Sequence, residues 1–308
     1  MSCRKTTIGG QALLEGIMML GPKKSAIAIR KPNGEIELKV EDVKSIKDKW
    51  KICSLPFIRG VFALYESMKR GTSALMYSAE FIEEEEVEES KFDKWLDKKF
   101  GWEKVQKVLM TISTVIGVIL PIVLFIFLPT LLAGIFDEYI GNGILRNLAE
   151  GAIRILTFLL FMLSVSHMKD IRRTFSYHGA EHKTIFCYEA GEELTVENVR
   201  KFSKEHPRCG TSFLFSVMII SILVFSVVQW SNPLMRIALR LLLLPVVISL
   251  SYEANRLIGR YDNWFTRFLR APGVWFQGFT TFEPDDSMIE IAIEALKPVI
   301  PENNEDKW

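Results

Sequence analysis

With 308 residues, 49% of them hydrophobic, the chain has the bulk of one large domain or two ordinary ones. Its charges nearly cancel, 38 Lys and Arg against 37 Asp and Glu for a formal net charge of +1, so there is no global basic field to track a nucleic-acid backbone, and nucleic acid is excluded as a main partner. The apolar residues collect into four runs between Val105 and Ile258, each long enough or nearly so to cross a hydrocarbon core of roughly 30 Å, which excludes a purely soluble domain.

Residues 1–104 form an N-terminal region. Its first residues carry Arg4 and Lys5 without the apolar stretch of a signal peptide, which predicts a cytoplasmic N-terminus. Residues 9–22 are apolar, too short to span and broken by glycines that match neither the dinucleotide nor the P-loop spacing, so tight backbone packing or an interfacial position is expected. Apolar and polar residues alternate or nearly alternate on either side of Pro32-Asn33-Gly34, and the Asn-Gly pair accepts positive φ, which predicts one β-hairpin over 25–40. Phe57, Val61, Leu64, Met68, Leu75 and Met76 fall at helical spacing and predict an amphipathic helix over 55–81, lying on a membrane surface or packed against spanning helices. The acidic run 83–89 reads as a solvated linker or helix face.

Residues 105–258 read as a membrane domain with spans at about 105–136, 153–168, 211–230 and 237–258. Pro121 and Pro129 predict a kink in the first. The loop 137–150 holds only Arg146, whereas residues 169–210 hold Lys169, Arg172, Arg173, Lys183, Arg200, Lys201, Lys204 and Arg208, so the positive-inside rule places that segment and both termini in the cytoplasm. Arg236 and Arg240 argue weakly the other way and are expected to snorkel. Glu253, near the inner end of the fourth span, is expected to pair with Arg172, Arg173 or Arg256. A transporter would need further intramembrane charge or an inverted repeat, and neither is read here. In residues 259–308, Trp264, Phe265, Phe268, Leu269, Trp275 and Phe276 alternate with Arg267 and Arg270 as an interfacial aromatic segment. A C-terminal helix follows, capped at Asp285 and stopped by Pro298. Cys3, Cys53, Cys187 and Cys209 are irregularly spaced and suit a reducing compartment.

Three of the four histidines lie between the second and third spans. On a helix, His178, Glu181 and His182 stand at i, i+3 and i+4 and share one face, so two imidazoles can reach one metal with a carboxylate beside them, the H-x-x-E-H form of inverted zinc-protease helices. His206 and Cys209 add an imidazole and a thiolate. Thr195 reads as the N-cap of a helix ending near Glu205 that folds the two halves together. If His178, His182, His206 and Cys209 all bind, the metal staples a loop; if three bind and water takes the fourth position, Glu181 is placed as general base. Without metal, the histidines would hydrogen-bond to Glu181, Glu189 or lipid phosphate. His167 reads as interfacial.

The stretches Gly9-Gly10-Gln11-Ala12-Leu13-Leu14-Glu15-Gly16, Tyr177-His178-Gly179-Ala180-Glu181-His182-Lys183-Thr184, His206-Pro207-Arg208-Cys209-Gly210 and Glu283-Pro284-Asp285-Asp286 resemble the YqhQ-like family of bacterial membrane proteins, over nearly the whole chain. The resemblance implies a bacterial inner-membrane location and a metal-dependent enzyme with no known substrate. The expectation is therefore an α-helical integral membrane protein with four transmembrane helices and a mixed α/β cytoplasmic region. A divalent metal, zinc by donor type, would sit on the cytoplasmic face and serve hydrolysis of a lipid-linked or membrane-protein substrate. The alternative is a non-enzymatic factor docking a translocation, assembly or proteolysis complex, with the His/Cys site as a staple.

Overall fold

The structure, a computed structural model, describes residues 5–46, 50–81, 99, 101–135, 144–226, 232–303 and 305–306. Cys3, the acidic run 83–89, residues 137–143 of the loop 137–150 and the ends of the first and third apolar runs lie outside them. The chain divides into two compact units, Met1–Ile82 with Met162–Ser221 and Leu243–Trp308, and Glu83–Phe161 with Ile222–Leu242.

The first unit is built around a four-stranded antiparallel meander, where the alternation pattern marks a single hairpin: β1 (Gly9–Leu13), β2 (Gly16–Leu20), β3 (Lys24–Arg30) and β4 (Ile36–Asp42). Strand β2 escapes a period-two reading because both its faces are covered. Ile17 and Met19 face one core and Met18 the other, so its sequence is a continuous apolar run. The β1–β2 turn also lacks the usual signal, since the residue at positive φ is Glu15 (φ 50°). Glu15 is held there by Arg173 at 2.6 Å and by the Tyr177 hydroxyl at 3.1 Å.

One face of the sheet packs on helix α1 (Arg59–Ala79) through Leu13, Met18, Ile27, Ile29 and Ala74. The other meets two helices, Lys169–Ala190 and Asp286–Leu296, through Ile17, Met19, Ala26 and Ala28 against Tyr177, Ala180, Ile291, Ala292 and Leu296. That core places the Tyr177–Ile185 stretch of the first of these helices entirely inside the protein.

In the second unit, α2 (Trp102–Ile122) continues through one π turn, Val123–Phe127, into α3 (Leu128–Ile135). Pro129 withholds the N–H that the Phe125 carbonyl would take in an α-helix, and Arg154 Nε donates to that oxygen at 2.8 Å instead. The next helix, α4 (Ile144–Ser166), starts well before the expected 153, so Arg146, Glu150 and Arg154 fall at i, i+4 and i+8 on one stripe. Then follow α5 (Lys169–Ala190), α6 (Val196–Arg200), α7 (Gly210–Ser226), α8 (Pro233–Arg260), α9 (Trp264–Gln277) and α10 (Asp286–Leu296).

Thr111–Ile135, Leu145–Ser166 and Leu234–Arg260 are long and apolar enough to cross a membrane, while α7, at 17 residues, is apolar but shorter. Most of their side chains face outward, Ile112, Val115, Ile116, Val118 and Ile119 among them, an apolar surface suited to lipid. The expectations for Arg236, Arg240 and intramembrane charge are corrected. Both arginines are buried with Arg146, Arg154 and Glu150, and Arg240 pairs with both Glu150 oxygens and reaches Thr130 Oγ1 at 2.7 Å. Within a helix pair, an arginine satisfied by a carboxylate has no need to snorkel.

Candidate metal centre

Helix α5 is fixed at its C-terminus by Gly191, which takes the left-handed conformation (φ 75°) and donates to the Cys187 and Tyr188 carbonyls. Its i, i+3, i+4 face presents His178, Glu181 and His182, as the spacing implies. After α6, capped by the Thr195 side chain and ending at Arg200 rather than near Glu205, a loop returns with His206 and Cys209.

His178 Nδ1 lies 2.8 Å from the Thr280 carbonyl and His182 Nδ1 lies 2.6 Å from the Lys204 carbonyl. A carbonyl only accepts, so each ring carries a proton on Nδ1, and in the neutral form its lone pair is on Nε2. His178 Nε2 sits 3.2 Å from Cys209 Sγ, while His182 Nε2 is buried without a hydrogen-bond partner. The ligand atoms of His178, His182 and Cys209 lie within 4.8 Å of one another, a group that can hold a metal ion.

His206 stands outside that group, with its ring centroid 5.7 Å from that of His182. Its Nε2 faces Glu189 Oε2 at 3.5 Å, and its Nδ1 accepts the Arg208 N–H at 3.3 Å. Burial pushes its pKa down to about 4 against the pull of Glu189, so the ring is neutral near pH 7 and uses both nitrogens within the protein. Burial also works against ionised Glu189, but bonds from His206, Arg208 and the Thr6 N–H hold its carboxyl below the usual range.

Glu181 is buried; its Oε1 accepts the Gly10 N–H at 2.9 Å and its Oε2 has no hydrogen-bond partner. Burial raises its pKa, opposed by His178 and the Gly10 bond. A Cβ on Gly10 would stand 2.9 Å from the Glu181 carboxyl carbon and 2.8 Å from the Met18 carbonyl, so only glycine lets β1 come this close. Gly179 plays the same part on the other flank, because a Cβ there would strike the Phe282 carbonyl of the loop that brings Thr280 to His178.

Several supporting groups escape the sequence reading. Gln277, fully buried, accepts the His206 N–H and donates to the His206 carbonyl, both at 2.8 Å, clamping the loop. Lys183, also buried, donates to the Arg200 carbonyl at 3.0 Å and pairs with Glu283. A Gln inside an aromatic stretch and a Lys beside His182 were the available hints. Glu253 pairs with Arg59 (Nε to Oε1, 2.7 Å), not with the three arginines expected; Arg173 is committed to Glu15. His167 is exposed, with Nδ1 on the Leu163 carbonyl at 2.7 Å.

The thiols differ in accessibility. Burial, with Glu192 nearby, pushes the Cys187 thiol up to about 11, whereas Cys209 is partly exposed and lines a cavity. Once metal is stripped, a maleimide at about pH 7.5 is expected to label Cys209 and spare Cys187 in the folded protein. Peptide mapping checks this, and labelling of Cys187 before Cys209 would contradict the placement.

Apolar helices of spanning length and a partly buried His/His/Cys group together define a membrane-type helical protein with a site able to take a metal. The family model for a protein of unknown function, DUF1385, matches residues 55–302, and the chain belongs to that family. It is 30% identical over 293 residues to the uncharacterized protein YqhQ of Bacillus subtilis (strain 168), covering 95% of this chain and 92% of that one, in line with the resemblance read from the motifs. No solved structure matches the chain.

Proposed function

We propose that the chain is a four-span protein of a bacterial inner membrane whose cytoplasmic face carries a divalent-metal site, with both termini on that side, and that the site serves hydrolysis of a lipid-linked or membrane-protein substrate. Beside the three helices of spanning length, the remaining span, third in chain order, is the apolar run that begins with α7, and the orientation follows from the Lys and Arg of residues 169–210. The observation that carries the metal reading is the pair of Nδ1 contacts to backbone carbonyls, which turn the Nε2 atoms away from them, that of His178 to 3.2 Å from Cys209 Sγ and that of His182 to a buried position without a hydrogen-bond partner. Histidines bound to a metal are commonly oriented this way.

Two imidazoles and a thiolate suit zinc, and three protein donors leave room for one further position. His206, engaged with Glu189, supports the loop and stands ready as the remaining donor only if that bond is given up. When bound, a divalent ion supplies Lewis-acid polarisation. Glu181, anchored at Oε1 by Gly10, keeps Oε2 to accept a proton.

Glu181→Gln is expected to bind metal at the wild-type ratio yet fail to replace the wild-type chain in cells that depend on it. Full cellular function with metal retained would sink hydrolysis, and a stoichiometric protein partner recovered in mild detergent would then favour the docking role.

A further inference from the structure

Beside Cys209 the first unit contains a cavity of about 1000 Å³. Its wall includes five arginines, Arg70, Arg208, Arg256, Arg260 and Arg270, one carboxylate, Glu66, and no lysine. Arg70 is answered by Glu66 at 3.3 Å, Arg270 by Asp262 at 2.6 Å and Arg208 by Glu189. Arg256 and Arg260 are exposed and form no ion pair among the described residues. Glu253, paired with Arg59, attracts Arg256 only from a distance, so the cavity carries an excess of positive charge in the form of guanidinium, whose planar fork matches two oxygens of a phosphate. A cationic ligand finds no free carboxylate there.

The depth of the cavity points the same way. Arg260 closes the apolar stretch Leu234–Arg260, and α9 follows at once with Trp264 and Phe268 outward, 79% and 69% exposed. Arginine at the end of a span, followed by exposed aromatics, marks headgroup level. Phe213, Phe215 and Leu269 give the same cavity an apolar wall.

We propose that this cavity binds a phosphate group, carried as an ester on a lipid or free in solution, on Arg256 and Arg260, in the space that Cys209 also lines. The inference deepens the metal reading, on which it rests for the meaning of the ligand's nearness to the cluster, but the binding itself does not require the ion.

The test uses the full chain in nonionic detergent, stripped of metal, titrated calorimetrically with dihexanoyl phosphatidic acid, inorganic phosphate and dihexanoylglycerol. Saturable binding of phosphatidic acid or phosphate is expected, weakened about tenfold or more in Arg256→Gln/Arg260→Gln, whose thermal unfolding should match wild type because both side chains are exposed. Phosphatidic acid binding far tighter than phosphate assigns a lipid source; equal binding assigns a soluble one, and both uphold the proposal. No binding of either, unchanged affinity in the double variant, or equally tight binding of phosphate-free dihexanoylglycerol would overturn it. His182→Ala keeps the two claims apart, because it should bind phosphate normally whether or not the wild-type protein holds a metal.

Discussion

Replacing Glu150 with alanine is expected to lower stability by about 3–5 kcal/mol, read as a fall in the unfolding midpoint of the detergent-purified protein. Glu150 is 1% exposed and accepts from both Nη groups of Arg240, at 2.8 Å for Nη2, and from Arg154 Nη2 at 3.2 Å. Without the carboxylate, the buried Arg240 guanidinium keeps Thr130 but loses its ionic partner among the described residues. Removing a charge together with its partner costs less than stranding one, so Glu150→Leu/Arg240→Leu should unfold above the single variant. A Glu150→Ala protein with the wild-type midpoint would contradict the buried pair.

The second large effect is expected at Gly179. Alanine there puts a methyl group into the Phe282 carbonyl, and Phe282 is tied to α5 by its own N–H on the Phe175 carbonyl at 3.0 Å, so the backbone cannot yield cheaply. The strain should cost about 1–3 kcal/mol. It should also displace the Thr280 carbonyl from His178 Nδ1 and weaken metal binding about 10–100-fold, as loss of an orienting partner does. Competition with a metal-sensitive dye measures the affinity. Unchanged affinity would show that the Thr280 loop does not orient His178.

The site face of α5 was legible because helical spacing alone puts His178, Glu181 and His182 together, and Cys209 arrives by a loop short enough to return to them. The groups that orient the rings were not legible. Lys204 and Thr280 act through backbone carbonyls, which every residue has, so no side-chain type announces them. The position of His206 depended on Glu189, a carboxylate one turn and more along α5 whose pairing with Arg208 and the Thr6 N–H forms only when distant segments meet.

The sheet shows the same limit. β4 alternates and an Asn-Gly turn joins it to β3, whereas β2, buried on both faces as β3 is, turns through Glu15 at positive φ, so pattern and turn chemistry were both silent for it. The buried arginines were hidden differently. Reading 137–150 as a loop broke the stripe of Arg146, Glu150 and Arg154, which becomes visible only when the helix is allowed to start at Ile144.

Whether the His/His/Cys group holds a metal is tested most directly by elemental analysis of the detergent-purified protein, with His182→Ala and Cys209→Ser beside wild type and folding checked in parallel. About one equivalent of a divalent ion, zinc by donor type, is expected in wild type and none in the folded His182→Ala variant. If no metal copurifies with folded wild-type protein and none can be loaded, the group is a hydrogen-bonded cluster and the hydrolytic reading falls.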